Sequence, residues 1–312
     1  MRYVFGPVPS RRLGLSLGVD LLVPKTCTMD CIYCECGPTT DCRAERGSFV
    51  DPNEVLRELE TVLEKGPRLD FVTISGSGEP TLSSDLGTVI DGIRRLTDAR
   101  IAVLTNAGLV TDPAVRAELA RADVIVPSLD AVSPEVFQRV NRPHASLDPS
   151  TIVDGLVALR DEFSGEIWLE TVIVAGVNDS DEEIARIADA VARIRPDRVQ
   201  VNTVVRPPAY AGTEAVTSER LAEIATALGP TAEVIASPSG GAQRRIDDAS
   251  KLVREMAARR PVTVQDVAEA VGMSLAESAK LLGAMTDAGV IEVVRHGEML
   301  YHRAMARNGE GK

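Results

Sequence analysis

The sequence lacks the long apolar segments and the leader that membrane and secreted proteins carry. No apolar run reaches the roughly 18 residues that a membrane-spanning helix needs, and the residues from Met1 to Pro7 do not resemble a signal peptide. Five cysteines are an odd number, and three of them stand close together, which argues against a framework of disulfides. We therefore expect a globular protein of the cytoplasm that does not enter a membrane.

Positive charge is also scarce. The chain has 34 lysines and arginines against 46 aspartates and glutamates, which gives a formal net charge of -12 at pH 7. Such an acidic protein is not expected to bind phosphate backbones broadly, although a local basic groove remains compatible with this balance. Residues 250–312 hold nine basic and eight acidic residues, so the acidity belongs to the rest of the chain.

A repeat of short apolar strands and capped helices predicts an α/β fold. The strands are apolar almost throughout, which is typical of a parallel sheet that helices cover. Asp51-Pro52, Ser133-Pro134 and the capping box Ser180–Glu183 mark three of the helix starts. The six predicted strands span residues 15–22, 69–75, 101–105, 124–129, 167–174 and 198–204.

Six βα units favour a partial (β/α)6 barrel, with a doubly wound sheet as the alternative. In either fold the chemistry lies at the carboxyl ends of the strands. The Pro/Ser/Gly-rich stretch 237–242 interrupts the pattern and predicts a linker. We therefore divide the chain into a barrel, residues 1–238, and a small second domain, residues 247–305.

The second domain has the pattern of a winged helix. Helices are predicted at about residues 247–258, 263–271 and 274–288, followed by a hairpin around His296-Gly297. Thr263–Asp266 and Ser274–Glu277 are predicted to cap the second and third of these helices. The third helix has one basic residue, Lys280, beside Glu277 and Asp287, which is few for a helix that reads DNA. A module that binds protein or presents a substrate is at least as consistent with the sequence.

Three cysteines at C-x3-C-x2-C spacing, Cys27, Cys31 and Cys34, form the most informative stretch. A closed zinc site and a fully coordinated 4Fe–4S cluster both take four protein ligands. Three thiolates therefore suggest a cluster with one iron open to something that is not protein. The alternative is a structural zinc site that takes its fourth ligand from Cys36 or Cys42.

With Tyr33 before the third cysteine, this stretch resembles the motif of the radical S-adenosylmethionine (SAM) superfamily. The resemblance implies that Cys27, Cys31 and Cys34 hold a 4Fe–4S cluster whose open iron SAM chelates through its amino and carboxylate groups. It implies that one electron cleaves SAM to methionine and a 5′-deoxyadenosyl radical, which takes a hydrogen atom from the substrate. It also implies reduced flavodoxin or ferredoxin as the electron donor.

The same resemblance assigns residues to SAM. Ser77-Gly78-Glu79-Pro80 follows the second strand, where the family has a Gly-Gly-Glu-Pro-like motif that holds the methionine ammonium group. Glu170 and residues 172–176 lie on the fifth strand, where the family often packs adenine. Arg206 ends the sixth strand, where it could bind a carboxylate or phosphate or form a structural ion pair. The predicted SAM contacts are Tyr33, Ser77, Gly78, Glu79, Asn106, Ser128 and Asp130.

Longer stretches resemble the branch of this superfamily that is grouped with the wyosine-tRNA synthases. They include Phe5–Gly14, Asn141–Pro143 and Val205–Pro208. That branch implies a tRNA-modifying enzyme that uses pyruvate, a second cluster on upstream cysteines and a barrel lysine. No cysteine precedes Cys27, and two lysines, at positions 25 and 65, are the only ones before residue 250.

We therefore carry over the radical chemistry and leave the second substrate open, with RNA and a protein or peptide favoured. Cys36 and Cys42 are interpreted as inert or close to the substrate rather than as metal ligands. The alternative function is an iron–sulfur-sensing winged-helix transcription regulator, which would need a basic recognition helix and no SAM site.

Overall fold

The computed structural model describes residues 2–10, 12–64, 68–235 and 249–305. The predicted linker at 237–242, Lys65 and the start of the helix predicted from residue 247 lie outside the described residues. The strands are β1 (Val4–Ser10), β2 (Gly14–Val19), β3 (Thr26–Cys27), β4 (Asp41–Cys42), β5 (Phe71–Ile74), β6 (Arg100–Thr105), β7 (Val124–Pro127), β8 (Glu166–Ile173), β9 (Arg198–Thr203), β10 (Ala232–Val234), β11 (Ile291–His296) and β12 (Met299–Ala304).

Ten helices accompany these strands in the described part of the chain. None of them is long and apolar enough to cross a membrane. They are α1 (Pro52–Leu63), α2 (Leu86–Leu96), α3 (Pro113–Leu119), α4 (Pro134–Val140), α5 (Pro149–Glu162), α6 (Asp181–Ile194), α7 (Ser218–Ala227), α8 (Ala249–Arg259), α9 (Val264–Val271) and α10 (Leu275–Asp287), and a 3-10 turn covers Pro80–Leu82.

One eight-stranded sheet has the order β1-β2-β5-β6-β7-β8-β9-β10. All neighbours from β2 to β10 pair in parallel, and β1 pairs antiparallel with β2 at the edge. The α/β fold with a mostly parallel sheet is thereby confirmed, and each of the six predicted strands is present. The sequence did not predict the two edge strands. β1 contains Pro7 and Pro9, which a sheet tolerates at its edge because proline cannot donate to a ladder.

The helices start at the predicted N-terminal caps, except that the capping box of α6 is only half formed. Asp51 caps α1 by accepting from the Asn53 N–H. The Ser180 hydroxyl accepts from the Glu183 N–H, but the Glu183 carboxylate does not return to the cap. It accepts instead from the Val132 and Ser133 N–H groups at 2.6 and 3.0 Å, and from the Ser133 hydroxyl. The predicted capping box is therefore only half formed, because Glu183 joins α6 to the loop after β7.

The C-terminal module, residues 249–305, contains α8 to α10 and the antiparallel β11–β12 hairpin. Capping boxes at Thr263/Asp266 and Ser274/Glu277 start α9 and α10, as predicted. The module has a core of its own, which includes Val253, Val267, Leu282 and Ile291. The helices and the hairpin lie where the sequence predicts them, and their identification as a winged helix stays a prediction.

The module packs on the edge of the large sheet. Helices α8 and α9 contact β1, and Val8 of β1 packs against the module's core. The Tyr301 hydroxyl donates to the Val205 carbonyl, just after β9. These contacts place the C-terminal module beside the carboxyl ends of β2 and β9, where the predicted site residues lie.

Candidate active site at the carboxyl ends of the strands

The cysteine loop, residues 27–34, is anchored on the segment that follows α4. The Ile32 N–H donates to the Val140 carbonyl at 3.0 Å, and the Asp30 N–H donates to the Asn141 carbonyl at 3.0 Å. The His144 N–H donates back to the Thr28 carbonyl at 2.8 Å. The backbone of residues 140–144 thus holds the cysteine loop in place. The sequence indicated Asn141–Pro143 only as part of a family resemblance and did not predict this contact.

Each cysteine of the motif has one nitrogen donor directed at its sulfur. The Asn106 side-chain amide lies 3.4 Å from Cys27 Sγ, and the Asn141 amide lies 3.3 Å from Cys31 Sγ. The Lys25 ammonium lies 3.8 Å from Cys34 Sγ. Donors of this kind stabilise sulfur that carries negative charge, as in thiolates that coordinate a metal.

The surroundings shift the pKa values of the three thiols in opposite directions. Burial raises the pKa of Cys27 to about 12 and raises that of Cys31 well above its ordinary value. The pKa of Cys34 is lowered to about 6, chiefly because the Cys36 thiol donates a hydrogen bond to it. Coordination deprotonates a thiol outright, so metal binding at this loop would release protons.

The donor set fits a cluster better than a single ion. In the described part of the chain, no group of three or more His, Cys, Asp or Glu side chains converges on one metal ion. Cys36 points to the Gly76 carbonyl at 3.9 Å, and the exposed Cys42 points to the Thr28 carbonyl at 3.8 Å. Neither supplies the fourth ligand of the alternative zinc site, whereas a cubane cluster takes each thiolate at a separate corner.

The Gly-Glu-Pro segment lies against the chain that leads into the cysteine loop. The Lys25 N–H donates to the Ser77 carbonyl at 2.9 Å, and the Glu79 N–H donates to the Thr26 carbonyl at 3.1 Å. A Cβ on Gly78 would come within 1.9 Å of the Thr26 carbonyl oxygen. Glycine is therefore required at position 78, because any side chain would separate the two segments.

Glu79 is buried, and its carboxylate is occupied by the protein. It accepts from the Thr81 N–H at 3.0 Å, the Thr81 hydroxyl at 2.7 Å, the Thr105 hydroxyl at 2.6 Å and the Asn106 N–H at 2.6 Å. Burial raises the pKa of Glu79, and these hydrogen bonds oppose that rise. The carboxylate joins the Gly-Glu-Pro segment to the end of β6, so Glu79 fixes backbone rather than facing an open site.

Asp130 is the centre of a second buried network. It accepts from the Tyr33 hydroxyl, from the Asn141 amide at 2.7 Å and from the Val172 N–H at 2.8 Å. Burial raises its pKa to about 6. Because Asn141 also donates to Cys31, this network connects the carboxyl end of β7 with the cysteine loop.

The structure brings the predicted SAM residues together in two groups. Ser77, Gly78 and Glu79 adjoin Lys25 and Thr26, as described above. The residues Asn106, Ser128 and Asp130 line a narrow crevice together with Met29. Tyr33 lines a larger cavity on the other side of the loop.

This cavity of about 370 Å³ lies between the sheet, the cysteine loop and the C-terminal module. Five strands, β2, β5, β6, β8 and β9, contribute Ser16, Thr73, Leu104, Val172 and Thr203 to its lining. The loop contributes Tyr33, Cys34 and Cys36, and the C-terminal module contributes Met256, Arg259, Arg260 and Asp266. Sequence reasoning did not predict that the module forms one wall of the cavity, because no local pattern reports contacts between segments so far apart.

Two arginines that line the cavity are held in ion pairs. Arg206 lies 3.2 Å from Glu35 and 3.0 Å from Asp266. Arg12 lies 2.6 Å from Glu170. Of the two roles considered for Arg206, the observed one is a structural ion pair, which joins the end of β9 to the cysteine loop and to α9.

Comparison with known proteins agrees with this arrangement. The profile of the radical SAM superfamily matches residues 21–188. A UPF0026 protein of Synechocystis is 38% identical over 65% of this chain and 76% of its own length. A Brachyspira hyodysenteriae protein named GTPase Obg is 31% identical over 96% of this chain. The chain spans 45% of the length of that relative.

Among solved structures, the fold is similar to that of a radical SAM methyltransferase from Sphaerobacter thermophilus. The TM-score is 0.53, and the match covers 70% of this chain and 65% of that one. At 20% identity the similarity concerns the fold alone.

Proposed function

The chain belongs to the radical SAM superfamily, and on that basis we propose that it is an enzyme that binds a 4Fe–4S cluster on Cys27, Cys31 and Cys34 and cleaves SAM reductively. The observation that carries the proposal is the cysteine loop, in which three thiols each receive one nitrogen donor, while no group of three or more His, Cys, Asp or Glu side chains in the described residues converges on a single metal ion. When bound, the cluster and SAM would supply the one-electron radical chemistry of the superfamily.

We assign the SAM contacts to Tyr33, Ser77, Gly78, Asn106, Ser128 and Asp130. Glu79 takes a different part, because its carboxylate already accepts four hydrogen bonds from the protein. It positions the backbone of the Gly-Glu-Pro segment against the end of β6.

Asn106 couples this segment to the cysteine loop. Its N–H donates to Glu79, and its side-chain amide donates to Cys27 and to the Thr28 hydroxyl at 2.8 Å. Asn106 would therefore fix the position of a ligand bound at the Gly-Glu-Pro segment relative to Cys27. Fixed second-layer hydrogen bonds of this kind orient metal ligands in other proteins.

The finer assignments are part of the proposal. The C-terminal module would fold as a winged helix whose α8 and α9 close one side of the cavity. Reduced flavodoxin or ferredoxin would supply the electron in the cytoplasm, and the second substrate would be RNA or a protein or peptide. We do not propose the transcription regulator, because α10 carries Lys280 as its single basic residue.

Anaerobic reconstitution tests the proposal. The full chain would be loaded with iron and sulfide, reduced with dithionite and incubated with SAM, and 5′-deoxyadenosine would be measured by mass spectrometry. We expect its formation to depend on both dithionite and the cluster. Absence of 5′-deoxyadenosine from protein that contains an intact cluster would overturn the proposal. Mass spectrometry of RNA and protein from a strain that lacks the gene would then search for the substrate.

A further inference from the structure

One guanidinium in the wall of the cavity, that of Arg259, forms no close ion pair in the described residues, although Asp20 and Glu255 attract it. Arg259, at the end of α8, is partly buried in the cavity wall, and its Nε is buried without a hydrogen-bond acceptor in the described residues. Buried polar groups almost always have partners, and an exception needs an explanation such as a ligand. No ion pair to Arg259 is formed within the described ranges either.

The guanidinium is held in place by a stack that begins in the sheet. The Phe5 ring lies on the backbone of Gly18, where a Cβ would come within 2.1 Å of the ring. The Arg259 guanidinium carbon lies 4.0 Å from the centroid of the same ring. A guanidinium stacked on an aromatic face keeps its N–H groups free in the plane, directed away from the ring.

The charges that line the cavity leave Arg259 in excess. Within the described residues, four arginines and three carboxylates line it. Glu170 pairs with Arg12, and Glu35 and Asp266 pair with Arg206. Asp266 also attracts Arg260, so all three carboxylates are engaged by other arginines. Among the groups that line the cavity, arginines therefore outnumber carboxylates by one, and the carboxylates that attract Arg259, Asp20 and Glu255 before Glu58, lie outside that lining.

We propose that Arg259 binds a carboxylate or phosphate group of the second substrate in this cavity. The site rests on the proposed function, since the same cavity is lined by Cys34 and Cys36 of the cysteine-loop region. A planar guanidinium binds either anion through two parallel hydrogen bonds, which fixes the orientation of the bound molecule.

Isothermal titration calorimetry of the full chain, reconstituted under anaerobic conditions, tests this site directly. Inorganic phosphate and malonate serve as probes, and they distinguish a phosphate from a carboxylate ligand. We expect one of them to bind at one site per chain. Arg259→Gln should weaken that binding about tenfold or more, as expected for loss of a charge-assisted hydrogen-bond pair. Arg259→Lys should retain part of the affinity.

Two further variants separate a binding role from a structural one. Arg254→Gln removes the same charge from the exposed face of α8 and should leave the affinity unchanged. Phe5→Leu removes the ring on which the guanidinium stacks and should weaken binding less than Arg259→Gln does. Equal binding by the wild type and Arg259→Gln would overturn the proposal, and so would absence of binding by both anions.

The calorimetric result does not depend on the radical reaction. Iron content and 5′-deoxyadenosine formation would be measured on the same samples. Anion binding without SAM cleavage would reject the proposed function and keep the anion site. SAM cleavage without anion binding would keep the function and reject the site.

Discussion

The two sides of the cavity differ in how completely their polar groups are satisfied. On the side of the cysteine loop, the buried carboxylates of Glu79 and Asp130 accept four and three hydrogen bonds from the protein, although Asn141 Oδ1 lacks a donor in the described residues. On the side of the C-terminal module, buried guanidinium nitrogens of Arg206 and Arg259 lack acceptors in the described residues. The first side is rigid before any ligand arrives, whereas the second retains binding capacity for a ligand.

This difference separates positioning from recognition. Saturated networks hold their members in one geometry, which suits residues that must present cysteines and SAM contacts in fixed places. Unsatisfied donors are costly unless a ligand completes them, which is the basis of the anion site proposed at Arg259. Four experiments test the comparison.

The largest effect is expected for a ligand of the cluster. Cys31→Ser should abolish cluster binding and reduce 5′-deoxyadenosine to the level measured without dithionite, because one of three thiolates is lost. The measurements are iron content, visible absorbance and product formation. Cys42→Ser is the matched control, since Cys42 is exposed and should be dispensable. Loss of the cluster in Cys42→Ser as well would contradict the assignment of the cluster to Cys27, Cys31 and Cys34 alone.

The next effect concerns the ion pairs between the two sides. Arg206→Met keeps the bulk of the side chain but removes the ion pairs that Arg206 forms with Asp266 and Glu35. We expect a loss of about 3 kcal/mol in the free energy of unfolding, at the lower end for buried pairs because Glu35 is one third exposed. Urea denaturation measures it.

Arg186→Met is the control for that experiment. It removes an exposed pair with Glu182 and should leave the free energy of unfolding nearly unchanged, because solvent screens the pair. Equal losses in the two variants would mean that the Arg206 pairs do not join the C-terminal module to the rest of the protein.

A smaller effect tests whether Glu79 acts through the protein or through SAM. Glu79→Gln replaces one carboxylate oxygen by an NH2 group, which cannot accept the hydrogen bonds that this oxygen received. The apoprotein should therefore lose about 2 kcal/mol in the free energy of unfolding. Urea denaturation without SAM measures this loss, with the exposed Glu60→Gln as control. An apoprotein of unchanged stability would assign Glu79 to SAM binding instead.

The smallest effect is a pH dependence in the C-terminal module. Burial lowers the pKa of His302 from its ordinary value of 6.5. The unfolded chain therefore binds the proton at a higher pH than the folded one, and the contribution to stability falls as pH decreases through 6.5. Thermal melts between pH 7.5 and 5.5 should show this loss in the wild type and not in His302→Phe. His296→Phe, on the facing strand, should behave as the wild type does.

The sequence predicted what short motifs and local periodicity determine. The six parallel strands, the cap at Asp51 and the capping boxes of α9 and α10 all follow from residues within a few positions of each other. The proximity of Gly78 to the cysteine loop follows from the topology, because parallel strands end at one edge of the sheet.

The sequence could not predict contacts that depend on the assembled tertiary structure. Glu183 has the position of a capping-box residue, yet it bonds to the loop after β7. Glu35, Arg206 and Asp266 come from three distant segments and carry no shared pattern. The role of Asn141 also depends on tertiary structure. Asn141 ends α4, and only the fold brings its backbone and its side-chain amide to the cysteine loop.

The contact between Phe5 and Arg259 also determines the order in which the protein can fold. The cysteine loop meets Gly78 and Asn106 after closing loops of moderate length, whereas β1 meets α8 only after nearly the whole described chain has been made. Closing the longer loop costs more entropy, and contacts of high sequence separation form slowly. During synthesis, the parallel strands and the cysteine loop can thus assemble while the cavity is still open on one side. Docking of the C-terminal module on β1 is then the last step, and it closes a site whose other wall is already in place.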